Sequence, residues 1–161
     1  MTTVAYRNGA LAADRQYGND GVVEGETTKI FRRESDGALI GCCGTSSICK
    51  RFQRWFLDGE QGEAPSLKGD DLHSAGGFII RPDGRIELHD YFGCVPVSGA
   101  FFAIGSGKDF ALGAMEAGAS AAEAVEIAAR RDAHTGCGVD VLYLVPAGVV
   151  PARPVALVKE E

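Results

Sequence analysis

Residues 1–16 read MTTVAYRNGALAADRQ, and the fold follows from how this stretch turns on itself. Two short β-type runs, Thr2 to Tyr6 and Ala10 to Ala13, flank Asn8-Gly9, a dipeptide that readily takes the positive φ angles of a tight hairpin turn. The hairpin carries Thr2 on a strand and puts Asp14 just past the second strand, at a loop mouth where a carboxylate stays hydrated and still reaches a cation. The small side chain of Thr2 permits removal of Met1. A threonine with a free α-amine then holds a hydroxyl nucleophile and a base on one residue. Lys29, its charge fixed by Asp14, would supply the cation that such a site needs. By themselves these residues also read as an edge strand of β-branched residues and an aspartate in a turn.

Composition narrows the function classes. A chain of 161 residues, 45% apolar and 24% charged, fits one soluble domain spanning 1–161 with enough length for a single core. The formal charge of −6 and pI near 5.1 argue against nucleic-acid and anionic-membrane partners, which need a basic patch. The one basic cluster, Lys50, Arg51 and Arg54, reads as the solvated face of a helix. No stretch is apolar enough to span a bilayer and no charged-then-apolar leader is present, so a cytoplasmic location is expected. Five cysteines, Cys42, Cys43, Cys49, Cys94 and Cys137, make a poor disulfide framework because their number is odd and two are adjacent. There is no CxxC spacing, and His73, His89 and His134 stand singly, so the spacing gives no metal motif.

Beyond Asp14, Tyr17 to Glu26 reads as a glycine-rich connector. Thr28 to Phe31 and Ala38 to Cys43 form a second hairpin around Ser35-Asp36-Gly37, with Lys29 inside its first strand; buried there, the lysine would lose charge solvation and its pKa would fall. Gly41-Cys42-Cys43-Gly44-Thr45 leads into a helix with Ile48, Phe52, Trp55 and Phe56 on one face and Lys50, Arg51, Gln53 and Arg54 on the other. A glycine turn from strand to helix leaves backbone N–H groups pointing outward, as an oxyanion hole requires. Cys42 and Cys43 read as small buried apolar residues. Gly59 to Ala75, with Pro65, Gly69 and Asp70-Asp71, is a surface loop.

A third hairpin follows, Gly77 to Arg81 and Arg85 to His89 around Pro82-Asp83-Gly84. The strand Ala100 to Ile104 then enters Gly105-Ser106-Gly107. The GSGK string is not a phosphate loop, since Phe102 stands where its first glycine belongs and Asp109 where Ser or Thr would bind magnesium; no nucleotide or other cofactor is expected. Ser106 is placed to cap the helix Lys108 to Ala117. Gly118 closes that helix, Ser120 and Glu123 form a capping box for Ala121 to Arg131, and Asp132 and Thr135 read as a polar loop behind it. Val139 to Val145 is an apolar strand, and Val155 to Val158 a last short run before a charged tail. This order, hairpins, one helix, a hairpin, a strand, two helices and strands, is α+β and suits two packed sheets covered by helices on each side.

The blocks TTVAYRNGALAADRQ, GETTKIF, GCCGT, FFAIGSG and ARRDAHTGCGVDVL resemble, in order and character, the proteasome β-subunit family with its bacterial relative HslV. The resemblance covers most of the chain and fails in the middle, where Gly59 to Ala75 replaces a long helical segment. It implies the four-layer αββα sandwich of N-terminal nucleophile (Ntn) hydrolases, with that segment shortened, and a threonine endopeptidase acting on peptides or unfolded proteins. It further implies Thr2 as nucleophile, Asp14 and Lys29 as its charged pair, Gly44 as the oxyanion N–H, and Ser106, Asp132 and Thr135 around the terminal amine and hydroxyl. Cys43 would lie near the pocket for a substrate side chain. A homo-oligomeric ring served by an AAA+ ATPase ring is implied in the same way, with the shortened segment bearing on the ring contacts. Two other readings stay open on the residues: an Ntn amidohydrolase for a small amide, since fold does not fix function, and a non-catalytic ring or scaffold protein.

Overall fold

Asn8 and Gly9 take φ of 50° and 78°, and the turn they form pairs β1 (Thr3–Arg7) with β2 (Ala10–Asp14), Val4 opposite Ala13. Two positive φ angles give the turn a twist that matches its strands. The computed structural model describes residues 2–19 and 21–145. Met1 and the run Val155 to Val158 lie outside the described residues.

A separate antiparallel hairpin comes next, β3 (Gln16–Asn19) with β4 (Val22–Glu26), where the composition suggests only a connector. Val22 and Val23 are more than half exposed, so the pair is held by its ladder rather than by a buried face. The chain then builds a five-stranded antiparallel sheet in the order β5 (Ile30–Arg32), β6 (Leu39–Gly44), β7 (Ala75–Ile80), β8 (Ile86–Asp90), β9 (Gly93–Val97). Lys29 stands one residue before β5 rather than inside it. The strand β9 carries no sequence signal: it is exposed, contains Pro96 and lies at the sheet edge, where proline is tolerated. The hairpin β1–β2 is central in a four-stranded sheet ordered β10 (Phe101–Gly105), β1, β2, β11 (Val139–Tyr143).

Three helices complete the described residues: α1 (Ser46–Leu57) between β6 and β7, and α2 (Lys108–Glu116) and α3 (Ala121–Ala129) between β10 and β11. The capping box of Ser120 and Glu123 is present at α3. Ser106 does not cap α2, whose N-cap is Gly107 without a side-chain bond.

Three apolar clusters define four layers. Strand residues alternate in direction, so Val4, Tyr6, Leu11 and Ala13 meet Ile30, Leu39, Phe78 and Ile80 between the two sheets. Ala5 and Ala12 face the other way, against Ala121, Ala124, Val125 and Ala128 of α3 and Ala111 and Met115 of α2. On the far side of the five-stranded sheet, Ile40, Cys42 and Ile79 pack on Ile48, Phe52 and Phe56 of α1. The layers are therefore α2/α3, sheet, sheet, α1, an αββα sandwich. Phe52 and Phe56 are fully buried, each burial stabilising by roughly 1.5–3 kcal/mol. Gln53, placed on the polar face by periodicity, is instead buried, and its Nε2 donates to the Lys29 carbonyl at 3.2 Å. Between α1 and β7 the chain forms no helix and covers its side of the sheet only in part, through the buried Leu67.

Candidate active site

Antiparallel pairing gathers chain-distant residues at one end of the sandwich. In the four-stranded sheet the start of β1, the end of β2, the end of β10 and the start of β11 lie side by side, with Thr3 opposite Gly105 and Asp14 opposite Val139. That edge brings together Thr2, Asp14, Ser106 and the turn 132–138 that precedes β11. The start of β5 and the end of β6 add Lys29 and Gly44 from the other sheet.

Asp14 is the hub. It is fully buried rather than hydrated, because β2 continues through it and β11 pairs alongside. The Thr2 hydroxyl donates to its Oδ1, and the Thr3 N–H reaches the same oxygen at 2.9 Å. Oδ2 accepts from the Gln16 N–H at 3.1 Å and the Gly136 N–H at 3.2 Å. Lys29 Nζ lies 2.9 Å from both oxygens. A buried carboxylate is tolerated when opposite charge and several donors surround it, and here the backbone of three segments supplies them. Burial pushes the Lys29 pKa below the usual lysine range, while Asp14 pulls it back up; the ammonium is held in place by its partner but poorly solvated.

A second polar cluster leans on the first. Asp132 Oδ2 accepts from Ser106 Oγ and Thr135 Oγ, both at 2.6 Å, and its Oδ1 accepts from the His134 N–H at 3.2 Å. Burial raises the Asp132 pKa, but the Ser106 and Thr135 hydroxyls outweigh it and hold the carboxyl below its usual range. Thr135 Oγ is 2.7 Å from Thr3 Oγ. Since Thr135 donates to Asp132, Thr3 is the donor in that arrangement, giving a chain Thr3, Thr135, Asp132. Ser106 meets Thr2 at the carbonyl through its N–H at 2.8 Å, while its hydroxyl, 3.4 Å from the same oxygen, gives its one proton to Asp132. The cluster thus fixes Thr2 by its carbonyl and by its neighbour Thr3.

Thr2, Thr28, Lys29, Cys43, Gly44 and Cys49 are among the residues lining a cavity of about 250 Å³. Cys42 N–H bonds to the Lys29 carbonyl across β5, and Thr45 N–H to the Ser74 carbonyl on the β7 side. Strand alternation accordingly directs the Gly44 N–H to the β5 side, where the cavity lies. Gly44 has φ +106°, and a Cβ there would collide with the Ser74 carbonyl and sit 2.8 Å from Ala75 Cα; only glycine fits this close approach. Burial pushes the Cys43 thiol up to about 12 and Cys42 well above its ordinary value, which keeps both protonated and unreactive.

All seven residues singled out from the sequence therefore meet at one edge, in two linked groups: Thr2, Asp14, Lys29 and Gly44 around the cavity, and Ser106, Asp132 and Thr135 behind Thr2. Sequence reasoning missed Thr3, Gln16, Gln53 and Gly136. Gln16 and Gly136 bond Asp14 through backbone N–H groups, and Gln53 bonds a backbone carbonyl, which no residue pattern announces. Thr3 alone carried a legible signal, a second hydroxyl beside the first.

Neither a protein-family model nor a curated protein sequence matches the chain. Solved structures do. BPH from Thiobacillus denitrificans in complex with epoxomicin superposes with a TM-score of 0.62 at 21% identity, covering 90% of this chain and 99% of that one. Eukaryotic HslV from Trypanosoma brucei gives 0.61 at 19% identity, over 88% and 97%. A second Thiobacillus denitrificans BPH structure gives 0.59 at 20% identity, over 90% and 98%. At these identities the likeness shows the fold alone, an αββα sandwich that this chain shares with the BPH and HslV structures.

Proposed function

We propose that this chain is a threonine-type peptidase in which Thr2, exposed by removal of Met1, is the nucleophile. The observation that carries the reading is the buried Asp14–Lys29 pair, Asp14 bonded to the Thr2 hydroxyl, at the wall of a cavity. A buried ion pair adds little net stability over apolar residues of the same shape, so its presence beside a nucleophile supports a chemical role.

In this reading the freed Thr2 amine takes the hydroxyl proton, directly or through a water, as Oγ attacks a peptide carbonyl. Lys29, held by Asp14, keeps the site electropositive and favours the developing alkoxide. The tetrahedral oxyanion accepts the Gly44 N–H, a contribution of about 3–4 kcal/mol when preorganised. Collapse expels the amine half of the substrate, which takes the proton from Thr2, and leaves an ester on Thr2 Oγ. Water then attacks that ester by the same route and frees Thr2. Ser106, Asp132 and Thr135 orient Thr2 throughout. Because about 250 Å³ falls below the roughly 300–1,000 Å³ of sites that enclose a whole small molecule, the cavity suits one side chain of a longer peptide. That favours a peptide substrate over a small amide.

Intact mass tests the first step, since the mechanism needs a chain that begins at Thr2. Fluorogenic peptides test the second: wild type cleaves and Thr2→Ala does not. Epoxomicin, the compound bound by the Thiobacillus denitrificans protein, serves as the probe, with a mass adduct expected on wild type and none on Thr2→Ala. Cleavage retained by a Met-free Thr2→Ala preparation would refute the proposal. A closed ring of identical copies, fed unfolded chains by an ATPase, belongs to the same proposal. Native mass spectrometry tests it, and a monomer at working concentration ends it.

A further inference from the structure

Away from this edge, the sheet face that α1 shares carries a second chemical cluster. On β8, Glu87 and His89 are two residues apart and so point the same way. On β9, Cys94 stands directly opposite His89. The ligand atoms of Glu87, His89 and Cys94 all lie within 4.8 Å of one another, and this is the one such trio among the described residues. His89 is 7% exposed, its ring packs on Phe52 at 4.9 Å between centroids, and its Nε2 is buried without a hydrogen-bond partner. Glu87 Oε2 is 3.7 Å from that nitrogen, too far for a hydrogen bond. An unpaired buried ring nitrogen costs free energy, and it is aimed between a carboxylate and a thiol.

We propose that Glu87, His89 and Cys94 bind a zinc-class divalent cation that clips the edge strand β9 to β8. One imidazole, one carboxylate and one thiolate form a mixed N, O, S set suited to borderline-soft Zn²⁺, with water as the fourth ligand. Zinc–ligand lengths set tetrahedral donor separations of about 3.4–3.8 Å, reached by rotamer adjustment of the exposed Cys94 and of Glu87. The surrounding charge suits a cation. Arg81 and Arg33 are bonded to Glu87, Glu60 and Asp36, so two guanidiniums face three carboxylates. Glu87 Oε2 accepts from Arg81 Nη2 at 2.6 Å; turning it to the metal exchanges that bond for the cation, while Oε1 keeps Arg81 Nε at 3.0 Å and orients the carboxylate. The buried, unpartnered Nε2 of His89 is the ring atom that would face the metal. The exposed Cys94 binds as its thiolate, so metal binding releases a proton.

The full-length chain, reduced and freed of metal with a chelator, is titrated with Co²⁺ without oxygen. Wild type is expected to take up one ion and show a thiolate-to-cobalt charge-transfer band. Cys94→Ser loses the band, and Cys94→Ser and His89→Gln each bind Zn²⁺ at least tenfold more weakly. At one fixed concentration Zn²⁺ raises the Tm of wild type and of Thr2→Ala, which separates this site from the peptidase reading, and raises that of Cys94→Ser by less. Absence of saturable uptake, or a band that survives in Cys94→Ser because another cysteine provides the thiolate, overturns the assignment.

Discussion

Replacing Lys29 with methionine removes the charge from the Asp14–Lys29 pair while keeping much of the side chain's bulk. Asp14 is then a carboxylate with no exposure to water and no counter-charge, and breaking a buried pair from one side costs about 3–5 kcal/mol. The Thr2 hydroxyl and the N–H groups of Thr3, Gln16 and Gly136 remain. Hydrogen bonds to a charged group are worth about 1.5–3 kcal/mol each, which puts Lys29→Met at the low end, near 3 kcal/mol. For a chain of this length that lowers Tm by about 6–12 °C. Asp14→Asn strands the ammonium instead, but lysine can shed its proton, which caps the loss at about 4.6 kcal/mol at pH 7 from an ordinary pKa of about 10.4. The double variant removes both charges, and urea denaturation should find it more stable than the sum of the single losses predicts by about 2–3 kcal/mol. Simple additivity would show that the two groups do not act as a pair and would refute the reasoning. Peptide hydrolysis should be absent from all three variants, the stable double one included.

Gly44→Ala forces a Cβ against the Ser74 carbonyl and Ala75 Cα; expected are a loss of about 1–3 kcal/mol by denaturation and a 10²–10³-fold fall in kcat with KM little changed. Glu60 is held below the ordinary carboxylate range first by Arg81 and then by Arg33, against desolvation. A depressed folded pKa means its stabilisation is full above the unfolded value of about 4.3 and is lost as pH falls through the folded value, so Glu60→Gln should flatten the acid limb of the stability profile below about pH 5 without moving the alkaline limb. Ser120→Ala removes the reciprocal bonds of the α3 capping box and should lower unfolding free energy by about 1 kcal/mol, read as a shift in urea midpoint with unchanged m. An unchanged midpoint would mean that the box is made equally in the unfolded chain.

Where local chemistry decides the conformation, the sequence was legible. Asn8-Gly9 could hardly close anything but a tight turn, and Ser120 with Glu123 announced the capping box that starts α3. Glycine at 44 likewise marked a turn that turned out to leave room for no other side chain. What escaped reading depended on partners elsewhere in the chain. Asp14 looked hydrated because nothing near it shows that β11 will pair alongside. Gln53 looked solvated because the Lys29 carbonyl that it satisfies comes from another strand. The strand β9 was invisible because Pro96 and an exposed surface erase the usual alternation, and Ser106 looked like a cap because Asp132 lies far along the chain. Residue chemistry suggested Thr2, Asp14 and Lys29 as a set, but the roles proposed for Ser106, Asp132 and Thr135 came from family resemblance; spacing alone left them as cap and loop residues.

The meeting of strand ends at one edge has a consequence for the order of events during synthesis. Thr2 and Asp14 leave the ribosome first, but Thr3 has no β10 beside it until Gly105 has been made, and the turn at Asp132 and Thr135 comes later still. Pairings of such long sequence separation form slowly, because the entropy of closing the intervening chain must be overcome before any contact compensates it. The nascent hairpin therefore carries its hydroxyl and carboxylate with no finished cluster around them, and under the proposed function proteolytic competence would wait for the last strands. The proposed peptidase would then stay inert while it, and the chains emerging beside it, are still unfolded.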